Sequence, residues 1–240
     1  MAHRRDVIAI GASSGGVSPL IELVRHLPPD LPAAIFVVLH VNPDAPSRLA
    51  AILNRAGGLP AAHAVDQEPI RRGRIYVAPP GFQMYVHRGH LSVHRGPHEN
   101  LHRPAIDPMF RTAAHYYGSR VIGVVLSGAL DDGSAGLRAV KQGGGIAIVQ
   151  HPSDARVAAM PSNAMEHVDV DHAVAAADLA PLLLSLVQCE GELALRGEAA
   201  LETVEEASVA DEACRSDELG VCRRSHAPTV PGHCEKSTKA

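Results

Sequence analysis

Short apolar runs alternate with amphipathic stretches along the first 188 residues, and that alternation predicts the elements. Asp6–Ile10, Ala34–His40, Arg74–Val77, Val121–Leu126 and Gly145–Val149 are largely β-branched runs bounded by Gly, Pro or polar residues. Runs of that kind mark buried strands. Between them Pro19–Leu27, Pro46–Arg55, Asp107–Tyr117 and Ser134–Gln142 carry a helical pattern, several opened by Ser, Asp or Pro. Gln83–Tyr85 and Leu91–His94, separated by His87-Arg88-Gly89-His90, predict an antiparallel hairpin. Strands alternating with helices over this length predict an α/β fold. Its sheet should be doubly wound and mostly parallel, with helices on both faces and the small hairpin appended.

The pattern fades near residue 188. Residues 1–188 hold 16 basic and 15 acidic side chains, whereas residues 189–240 hold 6 and 11 and contain no Phe, Tyr or Trp. We therefore expect one domain over 1–188 and an acidic, disordered tail over 189–240, with at most a marginal helix at Glu190–Val209. Hydrophobic residues make up 46% of the chain but aromatics only 3%, so the core must be aliphatic, which suits an α/β domain. The net charge of −4 argues against non-specific nucleic-acid binding. Val7–Ile10 is too short for a signal-peptide core, and Leu179–Val187 is half of the roughly 18 residues a membrane span needs. All four cysteines fall at or beyond Cys189, so no disulfide is expected in the domain. A cytoplasmic protein without a membrane segment is expected.

Three loops could carry chemistry. Ile10-Gly11-Ala12-Ser13-Ser14-Gly15-Gly16 joins a strand to a helix. Such a turn can cradle a pyrophosphate, display a nucleophilic Ser, or simply cap the helix. The dinucleotide reading wants an acid at the end of the second strand, where this chain has His40. A short-chain dehydrogenase would need Tyr followed four residues later by Lys, and the positions four after Tyr76, Tyr85, Tyr116 and Tyr117 hold Pro80, Gly89, Arg120 and Val121. A strand-end His beside a Gly-flanked Ser instead suits a general base. Leu126-Ser127-Gly128-Ala129-Leu130-Asp131-Asp132-Gly133 brings two carboxylates to the same crevice. One would orient the imidazole and the other cap the helix that follows. Ser13, His40 and either Asp131 or Asp132 would then form an acyl-transfer triad.

These loops, with Tyr76-Val-Ala-Pro-Pro-Gly81 and His102-Arg-Pro-Ala-Ile-Asp107 between them, resemble the catalytic domain of the CheB-type chemotaxis receptor methylesterases. The resemblance spans about residues 5–188 in five ordered motifs. It implies hydrolysis of glutamate methyl esters, with deamidation of glutamines as a second activity, on chemoreceptor cytoplasmic helices or related signalling proteins. It implies Ser13 as nucleophile, His40 as general base and Asp132 as the acid, since the family's Asp directly precedes the Gly found here at Gly133. Backbone donors at Ser14 and Ala129 would hold the oxyanion, and His102 and Arg103 would face the substrate. No cofactor or metal is implied. The family pattern has Met where this chain has Ala129 and usually Asn where it has Asp131. The first strand begins at Asp6, so the family's N-terminal receiver domain, and control through its phosphorylation, is not expected here. An inactive relative that only binds receptors or signalling partners is the alternative, and a serine hydrolase acting on other esters is a third reading.

Other signals are weaker. His87, His90, His94, His98 and His102 are close in sequence, and His87 and His94 are expected across the hairpin from one another, but no Cys or carboxylate spacing completes a metal site. Arg71-Arg72-Gly73-Arg74 and Arg88 to Arg103 read as a solvated face or as a surface meeting an acidic receptor. In the tail, Cys222, His226, His233 and Cys234 are zinc-type ligands at irregular spacing.

Overall fold

The computed structural model describes residues 5–188. The expectations for the tail, including its helix and its zinc-type ligands, lie outside the described residues. In chain order the elements are β1 (Val7–Ala12), α1 (Val17–Arg25), β2 (Ala34–Leu39), α2 (Leu49–Ala56), β3 (Ala61–His63) and β4 (Arg74–Val77). Then follow β5 (Gln83–Val86), β6 (Leu91–His94), α3 (Ile106–Tyr117), β7 (Val121–Val125) and α4 (Ser134–Gln142). β8 (Ile146–Gln150), α5 (Ala159–His167), β9 (His172–Val174) and α6 (Ala176–Gln188) complete the domain.

Seven strands form one sheet in the order β3-β4-β2-β1-β7-β8-β9, every pair parallel. The central strands β1, β2 and β7 are buried on both faces, which explains their unbroken apolar runs. Alternate residues point to opposite faces. Ala9, Phe36, Tyr76 and Val125 pack with residues of α3, α4, α5 and the β5–β6 hairpin. Ile10, Ile35, Val77 and Val124 pack with residues of α1, α2 and α6. The chain leaves β1 in one direction along the sheet through β2 and in the other through β7. The crevice for ligands in such folds lies at this divergence, beyond the carboxyl ends of the strands.

β1 runs two residues beyond its expected end, because Gly11 and Ala12 continue the pairing with Val38 and Leu39. A side chain at Gly11 would collide with Ile106, so this glycine lets the first turn of α3 rest directly on the end of β1. β3, β9 and α5 carry no clear sequence signal. The two strands are three-residue pieces at the sheet edges, and α5 holds Pro161 in its first turn and buries only Met160, Pro161 and Ala164. The hairpin register corrects one expectation. Its turn pairs the His87 N–H with the His90 carbonyl at 3.0 Å, and His94 lies opposite Gln83 rather than His87. The turn is tight, and its tip is Arg88-Gly89 with Gly89 at φ +79°.

Candidate active site

Three of the loops singled out above meet at the carboxyl end of the sheet. Ser13 follows β1, His40 follows β2, and Ser127 to Asp132 follow β7. Backbone hydrogen bonds tie them together: the His40 N–H donates to the Ala12 carbonyl, the Ser13 N–H to the Ser127 carbonyl, each at 3.0 Å. The Ser127 hydroxyl donates to the Ser14 carbonyl at 2.8 Å and accepts from the Val157 N–H at 2.9 Å. Its own N–H donates to Gln150 Oε1 at 2.9 Å. The loop bearing Ser13 is thus clamped to β7, β8 and the segment before α5. Gly128 gives the close approach: a Cβ there would stand 2.8 Å from that of Ser13 and would overlap Met160.

His40 Nε2 lies 2.7 Å from Asp132 Oδ2, and both side chains are almost wholly buried. Asp132 accepts three more hydrogen bonds, from the Ile106 N–H at 2.7 Å, the Asp107 N–H at 3.2 Å and Asn100 Nδ2 at 2.7 Å. Burial pushes its carboxyl up, but the bonds from His40, Ile106 and Asn100 outweigh burial and hold it below the usual carboxylate range. An ionised carboxylate only accepts, so Nε2 must carry the ring proton. In the neutral ring the lone pair then falls on His40 Nδ1, which is buried and has no hydrogen-bond partner among the described residues. No hydrogen bond joins the Ser13 hydroxyl to His40.

Asp131 is exposed. It does not cap α4 through its side chain, contrary to expectation. Asp107 of α3 does so instead, accepting from the N–H groups of Gly133 at 3.1 Å and Gly136 at 2.6 Å. Asp132, in turn, binds the first N–H groups of α3. Each carboxylate therefore sits on the positive end of the other's helix. Asn100 donates to both, 2.8 Å to Asp107 and 2.7 Å to Asp132. Burial raises the Asp107 carboxyl above its usual value, helped by the charge of Asp132 and opposed by the Gly136 and Asn100 bonds. Nothing in the sequence pattern pointed to Asn100, since its partners, Asp107 in α3 and Asp132 in the loop after β7, lie 7 and 32 residues away.

Asn100→Ala should therefore remove the one amide spanning two buried carboxylates. The loss should be about 1–3 kcal/mol, read as a fall in Tm. Any ester turnover should fall with it, because the orientation of Asp132 depends on this bond.

His102 lies against His40, ring centroids 3.5 Å apart and nearly parallel. Burial, then the neighbouring His40, pulls its pKa below the ordinary 6.5, with Asp132 opposing. Unfolded His102 consequently binds a proton at a pH where the folded residue does not. Its contribution to stability is full at neutral pH and is lost as the pH falls from that unfolded value through the folded one. A His102→Phe protein keeps a ring over His40 but has no such proton. Its Tm should drop less than that of the parent between about pH 7 and about pH 5, and an equal drop would remove His102 as the cause.

Arg103 donates from Nη1 to the Gly96 carbonyl at 3.0 Å, a bond that ties its loop to the end of the hairpin. The N–H groups of Ser14, next to Ser13 on its own loop, and of Ala129, on the loop after β7, have no protein acceptor among the described residues. Of the other histidines, His87 stacks on His90, and His94 on Tyr85.

A family model described as CheB methylesterase matches residues 8–183. A Leptospira interrogans protein named as a candidate protein-glutamate methylesterase/protein-glutamine glutaminase is 34% identical over 184 residues, covering 76% of this chain and 95% of its own. Protein-glutamate methylesterase/protein-glutamine glutaminase 2 of Anaeromyxobacter dehalogenans is 36% identical over 170 residues, 71% of this chain but only 50% of that longer protein. The crystal structure of the Thermotoga maritima CheB methylesterase catalytic domain superposes with a TM-score of 0.72 at 30% identity, covering 78% of this chain and all of that one.

Proposed function

The chain belongs to the CheB methylesterase family, and on that premise we propose that it hydrolyses glutamate methyl esters on the helices of chemoreceptors or related signalling proteins, using Ser13, His40 and Asp132. It is a carboxylic-ester hydrolase by that membership. The observation that carries the residue assignment is the single buried pair His40–Asp132, whose bond fixes the imidazole tautomer beside the loop of Ser13.

In this reading His40 Nδ1 takes the proton of the Ser13 hydroxyl as Oγ attacks the γ-carbonyl of the ester. Asp132 stays ionised and stabilises the imidazolium through Nε2–H. The N–H groups of Ser14 and Ala129 receive the charge that develops on the carbonyl oxygen, where a single such donor contributes roughly 10²–10³ in rate. A backbone donor survives the replacement of a larger side chain by Ala129. The tetrahedral intermediate collapses as the imidazolium protonates the departing methoxide, releasing methanol and leaving an acyl-serine. Water then adds with His40 again as base, giving free glutamate and restoring Ser13. With a glutamine side chain the same steps release ammonia.

Release of methanol from a methyl-labelled receptor cytoplasmic fragment tests the reading. Turnover by the parent and none by Ser13→Ala is expected. Turnover of small esters without receptor demethylation would move the protein to another esterase substrate, and no turnover of either would leave the binding-only reading.

A further inference from the structure

The opposite, amino edge of the sheet holds a cluster of arginines that the ester chemistry does not use. Asp6, immediately before β1, is almost completely buried. Its Oδ2 accepts from Arg72 Nε at 3.0 Å and Nη2 at 2.7 Å, and from Arg120 Nη2 at 2.9 Å, while Oδ1 accepts from Arg120 Nε at 2.8 Å. These bonds use one edge of each guanidinium and leave both Nη1 groups free of Asp6. Arg120 also lies over the Tyr117 ring, 5.1 Å from its centroid. Tyr117 is fixed at both ends of its hydroxyl, donating to the His87 carbonyl and accepting from the Gly89 N–H, each at 2.9 Å. That brings the hairpin turn and Arg88 over the same spot. Together they line a half-open cavity of about 270 Å³, with the apolar Val7, Ala34 and Ile70.

The charges do not balance. Three guanidinium groups face one carboxylate, and among the described residues no other acid is ion-paired with Arg72, Arg88 or Arg120. Two positive charges are left over among the described residues. Guanidinium forks match phosphate oxygens in pairs, and a phosphate monoester carries about −1.5 to −2 at neutral pH. The volume, at the small end for ligand pockets, suits a phosphoryl group with a short apolar attachment rather than a nucleotide.

We propose that this cavity is a second binding site, for a small phosphate monoester. Asp6 holds two of the arginines in place, and Arg88 closes on the ligand from the hairpin turn. The site lies a full strand away from Ser13, roughly 20 Å. It stands independently of the ester-hydrolysis reading.

Calorimetric titration of the full chain with phenyl phosphate, inorganic phosphate and citrate at constant ionic strength tests the proposal. Saturable binding of phenyl phosphate is expected, tighter than inorganic phosphate because of the apolar lining and tighter than citrate because the forks select phosphoryl oxygens. Arg88→Gln, which breaks no ion pair in the described structure, should weaken it at least fivefold, and Arg88→Glu should abolish it; circular dichroism checks that both variants fold. Absence of saturable binding, citrate binding as tightly, no advantage of phenyl phosphate over inorganic phosphate, or less than a fivefold loss in Arg88→Gln overturns it.

Discussion

Ser13→Ala should cut methanol release by roughly 10³–10⁶-fold while leaving the melting temperature of the protein unchanged. The two halves of that expectation have separate causes. In the proposed mechanism the rate falls because the Ser13 hydroxyl is the attacking group, and the residual rate comes from the backbone donors and binding alone. Stability holds because the Ser13 hydroxyl makes no hydrogen bond within the described structure, and its loop is tied by its backbone and by Ser127. His40→Ala should be as damaging to the rate but not as silent in the fold. It takes a donor from the buried Asp132 and a ring from His102, at about 1–3 kcal/mol. The double variant should be no slower than either single one, since the residues act as a unit. Methanol release and thermal melts on the three proteins decide it, and a Ser13→Ala protein near the parent rate would end the mechanism.

Asp132→Asn should be nearly as severe in turnover and far worse in stability. All four groups that face the Asp132 carboxylate are donors: His40 Nε2, two backbone N–H groups and Asn100 Nδ2. An amide presents its own N–H₂ to some of them whichever way it is turned, and no rotation relieves the clash. The cost should be about 2–4 kcal/mol, from a broken buried pair and an unsatisfied helix end. Turnover should fall by around 10⁴, because His40 loses the partner that keeps its proton on Nε2. The neighbouring Asp131→Asn should change neither by a measurable amount, within about 0.5 kcal/mol and twofold in rate, because that side chain is exposed. Comparing the two variants in one assay separates adjacent carboxylates. A more harmful Asp131→Asn would place the acid one residue earlier.

Much of this was legible in the sequence because parallel strands buried on both faces advertise themselves as continuous apolar runs. β1, β2, β4, β7 and β8 all do so, and they form the centre of the sheet. The short edge strands β3 and β9 do not, since three residues are too few to show a pattern. The residues at the carboxyl ends, Ser13, His40 and the Asp pair, were legible for the same reason: once the strands are known, so are the positions facing the crevice. What could not be read was the coupling across loops. Two acids in sequence suggested a division of labour between neighbours, whereas the structure divides it between Asp132 and Asp107, which are 25 residues apart. The amide of Asn100 that joins them sits in an irregular loop with no periodicity to betray it. The basic run at Arg71–Arg74 read as a surface, and Arg71 and Arg72 are exposed, but the pairing of Arg72 with Asp6 and of Arg74 with Glu68 could not be read from it.

The exchange of helix ends between Asp132 and Asp107 bears on how such a protein could decay. Functional groups often burden a fold, so that losing the activity makes the molecule sturdier. Here the carboxylate bonded to the imidazole also anchors α3, while the Ser13 side chain makes no hydrogen bond among the described residues. In a copy released from any need for ester hydrolysis, Ser13 could drift at no cost, whereas a change at Asp132 would unseat the interface of α3 with α4. With the roles proposed above, a descendant lacking the Ser13 hydroxyl but retaining both carboxylates is therefore the inactive form most easily reached, and the proposed nucleophile, not the proposed acid, is the position that tells a working enzyme from its relic.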